Sequence, residues 1–253
     1  MDSEYSIDQF EGIPSIPLER RMIDGNRFYF LDGIGMVSVT SILKKVTQPG
    51  IDKWRSRIGN EQADMISYNA AEKGTIIHEI CEMYLRHAQP THDGASIDTE
   101  QPNKFPLTLY IQKQFLDKCI EHELCEYFNE AFLPMLKRIS NVNYQEVQLY
   151  SRKYKYAGTV DCIAQFDNTL SIIDFKTSKS PKFKKYIDSY FLQTAAYSIA
   201  YHELTGINIE QLVILIGVST TPYSYQIFTE NINNIYYKTG KSWKDSFIDL
   251  ASE

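Results

Sequence analysis

The chain has 253 residues, 43% hydrophobic and 23% charged, with a formal net charge of −6. These totals suit one large domain, or one domain with an appended helical lobe, and argue against a protein that coats nucleic acid through bulk positive charge, though a local basic groove stays open. No apolar stretch approaches the roughly 20 residues that span a bilayer, and the acidic start MDSEYSIDQFEG carries neither a secretory core nor an Arg-rich transit pattern, so a cytoplasmic location without membrane attachment is the expectation.

In chain order, residues 1–35 read as a leader and a hairpin, RFYFLDG turning at Asp32-Gly33. VSVTSILKKV predicts a helix start capped by Ser38 or Thr40. Residues 51–89 are predicted helical, with interruptions near Gly59 and Gly74. The Pro/Gly/Ser/Asp-rich stretch 88–106 predicts a long loop, either disordered or a flap near a site. Residues 107–139 predict a long helix or helix pair broken around Pro134.

From 142 the period changes to strand: YQEVQLYS, then YAGTVDCIAQF, then LSIIDFKTS. YIDSYFLQTAAYSIAYHELTG returns to helix and ends at Gly206. QLVILIGVS is an apolar strand, YSYQIFTE pairs near it, and 231–250 predicts an amphipathic helix. The order implies an α/β (or α+β) class: a mixed sheet core at about 142–230 and a helical N-terminal lobe at about 40–140, both within one domain over 36–253. Cys81, Cys119, Cys125 and Cys162 form no C-x-x-C pair and read as small buried apolar residues.

Two acids interrupt the apolar strands. With a two-residue turn at Asp167-Asn168, Phe166 faces Thr169 and Asp161 faces Asp174, with Cβ atoms about 4.5–5.5 Å apart. Lys176 shares the face of Asp174. Carboxylates that close repel each other, so either one is protonated or a cation lies between them. Hard divalent ions prefer oxygen ligands, which points to Mg²⁺ or Mn²⁺ with open coordination positions. The plainer alternative is an edge-strand acid in solvent and a chance Asp-x-Lys triplet.

His78 and Glu82 lie four apart in GTIIHEICEMYL, read as a helix starting near Gly74 or Thr75, and share a face beside its apolar stripe. His78 is either a half-buried helix histidine or a metal ligand. SKSPKFKKY places Lys179, Lys182, Lys184 and Lys185 beside Phe183 and Tyr186. That composition suits phosphate contact and base stacking on a single strand, or else a solvated lysine-rich turn. Gln193 and Tyr197 lie at i and i+4 on the next helix.

In order, GTIIHEI, EVQLY, YAGTVDCIAQF, IIDFKTSK and QTAAY resemble the motifs of RecB-type nucleases in the PD-(D/E)XK superfamily. Within it the chain looks most like the branch of mitochondrial genome maintenance exonucleases and phage exonucleases, with VSVTSIL similar to an opening motif of that branch. The resemblance spans about residues 36–220. It implies a restriction-endonuclease-like mixed sheet flanked by helices. It also implies metal ligation by His78, Asp161, Asp174 and the backbone carbonyl of Phe175, with Lys176 as the catalytic lysine. Gln193 and Tyr197 would position DNA and the active site, Glu146 would assist metal binding or substrate orientation, and Gly158 would allow close backbone approach beside Asp161. Some relatives hold an iron–sulfur cluster with a C-terminal cysteine trio; no cysteine follows Cys162, so no cluster is expected.

The resulting expectation is a Mg²⁺- or Mn²⁺-dependent DNA exonuclease acting on single strands or free ends, in DNA repair or recombination, in a bacterial or phage-infected cell. The helical lobe and the 88–106 loop would form an arch over threaded strands. No G-x-x-x-x-G-K-[ST] loop is present, so any helicase, polymerase or single-strand-binding partner would be a separate protein. The alternatives are a structure-specific endonuclease of the same superfamily and a non-catalytic DNA-binding module.

Overall fold

A computed structural model describes residues 13, 17–88 and 124–253. The expected loop at 88–106, and most of the helix expected from 107, lie outside the described residues. Ten strands and six α-helices are described: β1 (Glu19–Ile23), β2 (Asn26–Leu31), β3 (Ile34–Ser38), α1 (Val39–Ile58), α2 (Asn60–Ala88), α3 (Cys125–Tyr127), α4 (Leu133–Leu136), β4 (Ile139–Ser151), β5 (Tyr156–Phe166), β6 (Thr169–Ser178), α5 (Asp188–Thr205), β7 (Gln211–Val218), β8 (Ser224–Asn231), β9 (Ile235–Tyr236), β10 (Lys241–Ser242) and α6 (Trp243–Ser252). A π-helical turn, Phe128–Phe132, joins α3 to α4.

Eight strands make one mixed sheet, ordered β1-β2-β3-β5-β6-β7-β8 with β4 on the remaining edge of β5. Its centre alternates cleanly. Leu212, Ile214 and Ile216 of β7 face one apolar cluster with α1, α5 and α6, while Val213 and Leu215 face a second cluster with α2 and the 124–136 segment. A strand covered on both faces has no polar side to show, which is why QLVILIGV reads as a continuous apolar run.

The β5–β6 hairpin closes as its sequence predicts. Asp167 and Asn168 take φ of 48° and 64°, the left-handed pair that a two-residue turn needs. The ladder then runs from Phe166↔Thr169 to Cys162↔Ile173. Beyond that pair the strands separate. β5 continues toward a short parallel pairing with β3 at Tyr156 and Ala157, while β6 stays on β7 through Ser178. The gap between these pairings falls at residues 158–161, so the fork opens where Asp161 and Asp174 would have faced each other.

Several expected elements differ. The Asp32-Gly33 turn and the Ser38 cap form, Ser38 Oγ accepting the Ser41 N–H at 3.0 Å. A further strand, β1, precedes them, turned at Asp24-Gly25. The chain breaks at Gly59 (φ 87°) but not at Gly74, where α2 runs through. Glycine's helix penalty of about 1 kcal/mol is outweighed there by burial of Ile77, Ile80, Cys81 and Leu85 in the turns that follow. The helix expected to 139 stops at Leu136, and β4 begins at Ile139. The helix expected over 231–250 begins only at Trp243. Asn231 and Asn234 close a turn, β9 pairs with β10, and Ser242 caps α6 by accepting the Asp245 N–H at 3.0 Å. Cys81 and Cys162 are buried, and burial raises both thiols well above the usual range, which fits inert apolar packing.

Candidate active site

The open end of the hairpin is filled with charge. Asp161 does not extend the ladder; its Oδ2 accepts the Phe175 N–H at 2.8 Å, a side chain standing in for the missing strand partner. Asp174 is buried, and neither of its carboxylate oxygens has a hydrogen-bond donor in good geometry. The Lys176 ammonium lies against it, Nζ to Oδ2 2.5 Å. Burial pushes the Asp174 carboxyl up to about 6 against the pull of Lys176. Burial disfavours the Lys176 ammonium too, but Asp174 and Asp161 outweigh it and hold the lysine above its ordinary pKa.

His78 reaches this point from α2, on the opposite side of the sheet from α5. Its Nε2 lies 2.8 Å from the Phe175 carbonyl. A carbonyl only accepts, so Nε2 carries the hydrogen and Nδ1 is left facing two carboxylates, Asp161 Oδ2 at 3.6 Å and Glu146 Oε1 at 3.9 Å. Burial opposes a charged imidazole, yet Asp161, Glu146 and Asp174 together raise its pKa. Glu146 leaves the extended conformation at φ 47°, a strained setting for a residue with a side chain. A cleft of about 400 Å³, lined by Gly74, His78, Glu79, Glu82 and Glu146 among others, opens beside this group.

One ligand atom each from His78, Glu146 and Asp161 lie within 4.8 Å of one another. An imidazole nitrogen and carboxylate oxygens, with one more buried carboxylate beside them, form a donor set that fits a hard divalent ion, and the bond of the other imidazole nitrogen to a backbone carbonyl fixes the ring. The Phe175 carbonyl, expected as a ligand, accepts from His78 Nε2 and retains a second lone pair. Asp174 stands outside the three-residue group but interacts electrostatically with Asp161 and His78.

The other helix layer closes the fork from α5. Gln193 Nε2 donates to Tyr197 Oη at 3.3 Å, and Tyr197 is buried against Gly158. A Cβ on Gly158 would stand 2.9 Å from the Tyr197 ring, so glycine is required here by the tyrosine's approach. Tyr190, not singled out in the sequence, also belongs to this face: Lys176 Nζ sits 5.2 Å from its ring centroid. Its position three residues before Gln193 on the same helix was the available signal. Glu82, paired with His78 in the sequence reading, forms an ion pair with Arg86.

The PD-(D/E)XK nuclease superfamily profile matches residues 54–225. A mitochondrial genome maintenance exonuclease 1 from Homo sapiens is 32% identical over 102 residues, 39% of this chain and 29% of that protein. Its Mus musculus counterpart is 39% identical over 62 residues, 24% of this chain and 18% of that protein. The chain thus aligns with less than a third of either relative's length. A provisionally named exonuclease from Eubacterium rectale shows a structural likeness with a TM-score of 0.36 and 14% identity, over 55% of this chain and 50% of that one.

Proposed function

This chain belongs to the PD-(D/E)XK nuclease superfamily, and from that membership we propose that it is a metal-dependent deoxyribonuclease that degrades single-stranded DNA or DNA from its free ends. The observation that carries the reading is the convergence of His78, Glu146 and Asp161 beside a buried Asp174 paired with the Lys176 ammonium, at the fork between β5 and β6. Mg²⁺ or Mn²⁺ is the ion that such a donor set suits, with His78, Asp161, Asp174, Glu146 and the Phe175 carbonyl holding it. When bound, a divalent ion neutralises phosphate charge and lowers the pKa of a coordinated water.

The chain's own groups do the rest. The Phe175 N–H fixes the Asp161 carboxylate, and the Phe175 carbonyl fixes the imidazole, so one peptide segment sets both ligands. Lys176, paired with Asp174, is placed to stabilise negative charge developing on the phosphate and to orient the attacking water. Gln193 and Tyr197 brace the β5 backbone at Gly158 and thereby position Asp161. No helix among the described residues is long and apolar enough to cross a membrane.

Digestion of end-labelled single- and double-stranded DNA with Mg²⁺, Mn²⁺ or EDTA tests this. Expected are metal-dependent release of products from ends, intact closed circles, and no cleavage by Asp174→Ala despite retained DNA binding. A product ladder from circular DNA would instead make the protein an endonuclease. A wild type that binds DNA but never cleaves it with either metal would make it a binding module.

A further inference from the structure

A second cleft, of about 590 Å³, lies between α1 and the start of α5. That volume is in the range of about 300–1,000 Å³ typical of small-ligand sites. Trp54 lines it from α1; Lys182, Lys185 and Tyr186 line it from the turn before α5; Lys238 lines it from the turn between β9 and β10. The stretch 176–187 holds five lysines and no acid in a chain whose net charge is −6. Lys184 is taken up by Glu230 and Lys238 by Asp188. Asp188 itself also accepts from the Tyr237 and Tyr236 hydroxyls at 3.0 and 3.2 Å, so its charge is well satisfied at the cleft edge. Lys182 and Lys185 have no acidic partner among the described residues.

The aromatic side chains of this turn are placed against the hydrophobic effect. Phe183 is 71% and Tyr186 68% exposed, their rings packed edge to face on one another. The turn that presents them is firmly built. Gln226 clasps the Lys182 backbone in both directions, accepting its N–H at 2.6 Å and donating to its carbonyl at 3.0 Å, and Thr220 donates to the Lys179 carbonyl. Lys185 Nζ lies 5.0 Å from the Tyr186 ring centroid, a contact that a base stacking on that ring would displace while a phosphate takes up the ammonium. Exposed aromatic rings beside ammonium groups without acidic partners, on a fixed backbone, match one ligand chemistry, a base with its phosphate. The cleft and the nuclease site share α5: Asp188, Ser189 and Leu192 line the cleft, while Tyr190 lies by Lys176 and Gln193 donates to Tyr197.

We propose that this cleft is a nucleotide subsite, which holds a unit of the substrate strand outside the catalytic group, its phosphate on Lys182 and Lys185 and its base on the aromatic faces of Tyr186 and Trp54. The proposal deepens the nuclease reading and rests on it, but it is testable without catalysis. Fluorescein-labelled oligothymidine is titrated in EDTA by anisotropy at several salt concentrations, with wild type, Lys182→Gln/Lys185→Gln, Lys182→Arg/Lys185→Arg and Tyr186→Ala. The glutamine pair is expected to weaken binding roughly ten-fold and to flatten the log affinity against log salt slope by about 1.4, at about 0.7 per lost phosphate contact. The arginine pair keeps both affinity and slope. Tyr186→Ala weakens binding roughly ten-fold with the slope unchanged, as expected of a lost stacking surface. Affinities and slopes equal to wild type in the glutamine pair and in Tyr186→Ala, or no binding by the wild type, overturn the subsite. Binding that behaves as expected in a protein that cleaves nothing with Mg²⁺ or Mn²⁺ overturns the nuclease reading and leaves the subsite standing.

Discussion

The two ends of the β5–β6 hairpin both carry aspartates, and they could hardly differ more. At the turn, Asp167 pairs with Arg138 in solvent, and Arg138 also lies 4.7 Å from the Phe166 ring centroid. At the open end, Asp174 is buried with the Lys176 ammonium beside it, and Asp161 occupies the place of a strand partner. An exposed pair gains little and costs little. A buried charge left partly unsatisfied costs several kcal/mol and persists only where the surrounding fold is stable enough to hold it. The comparison teaches that the fold tolerates its least favourable electrostatics at one point, and that point is the fork with the donor set.

The largest effect that would sharpen the contrast is on activity. Asp174→Asn is expected to lower metal-dependent DNA cleavage at least about 10³-fold, equivalent to roughly 4 kcal/mol of transition-state stabilisation. End-labelled substrate measures it, and residual cleavage within ten-fold of wild type would break the contrast. Next is Gly158→Ala. The added Cβ, 2.9 Å from the Tyr197 ring, must move the tyrosine or the β5 backbone. Destabilisation of about 1–3 kcal/mol by denaturant melts is expected, with a fall in cleavage of roughly 10²-fold from the displaced Asp161.

Stability against pH separates the two ends again. The Asp174 pKa rises from an ordinary 3.8 to about 6 on folding. Its contribution is therefore fully present below pH 4 and lost as pH rises through 6. Two units correspond to about 3 kcal/mol at most, and loss of the Lys176 pairing offsets part of that. In EDTA, Asp174→Asn is expected to be more stable than wild type by about 1–2 kcal/mol at pH 8, the difference vanishing toward pH 4. An Asn variant that is less stable at pH 8 would contradict the burial cost. The smallest effect belongs to the turn: Arg138→Gln should change stability by less than about 1 kcal/mol, and less still in high salt.

The register of the hairpin was legible because strand alternation and the Asp167-Asn168 turn set the pairing from Phe166↔Thr169 to Cys162↔Ile173, one step short of the expected Asp161–Asp174 pair. The basic, aromatic run 179–186 was legible for the same reason: composition is local. What was not legible is non-local or conformational. No pattern shows that β3 pairs in parallel with β5, or that the strands part at 158–161. His78 could be placed on a helix but not over the Phe175 carbonyl, because that contact spans 97 residues. The left-handed backbone of Glu146 has no signature in a glutamate. The missed β9–β10 hairpin shows the converse: its apolar spacing resembled a helix, and only the asparagines and Gly240 marked the turns.

Mn²⁺ binding, followed by electron paramagnetic resonance in the absence of DNA, tests the central claim most directly. The account predicts that the wild type immobilises Mn²⁺ at this site and that His78→Ala and Asp161→Asn each abolish that signal while remaining folded. Wild-type protein that leaves Mn²⁺ free in solution, or variants that bind it as the wild type does, would contradict it.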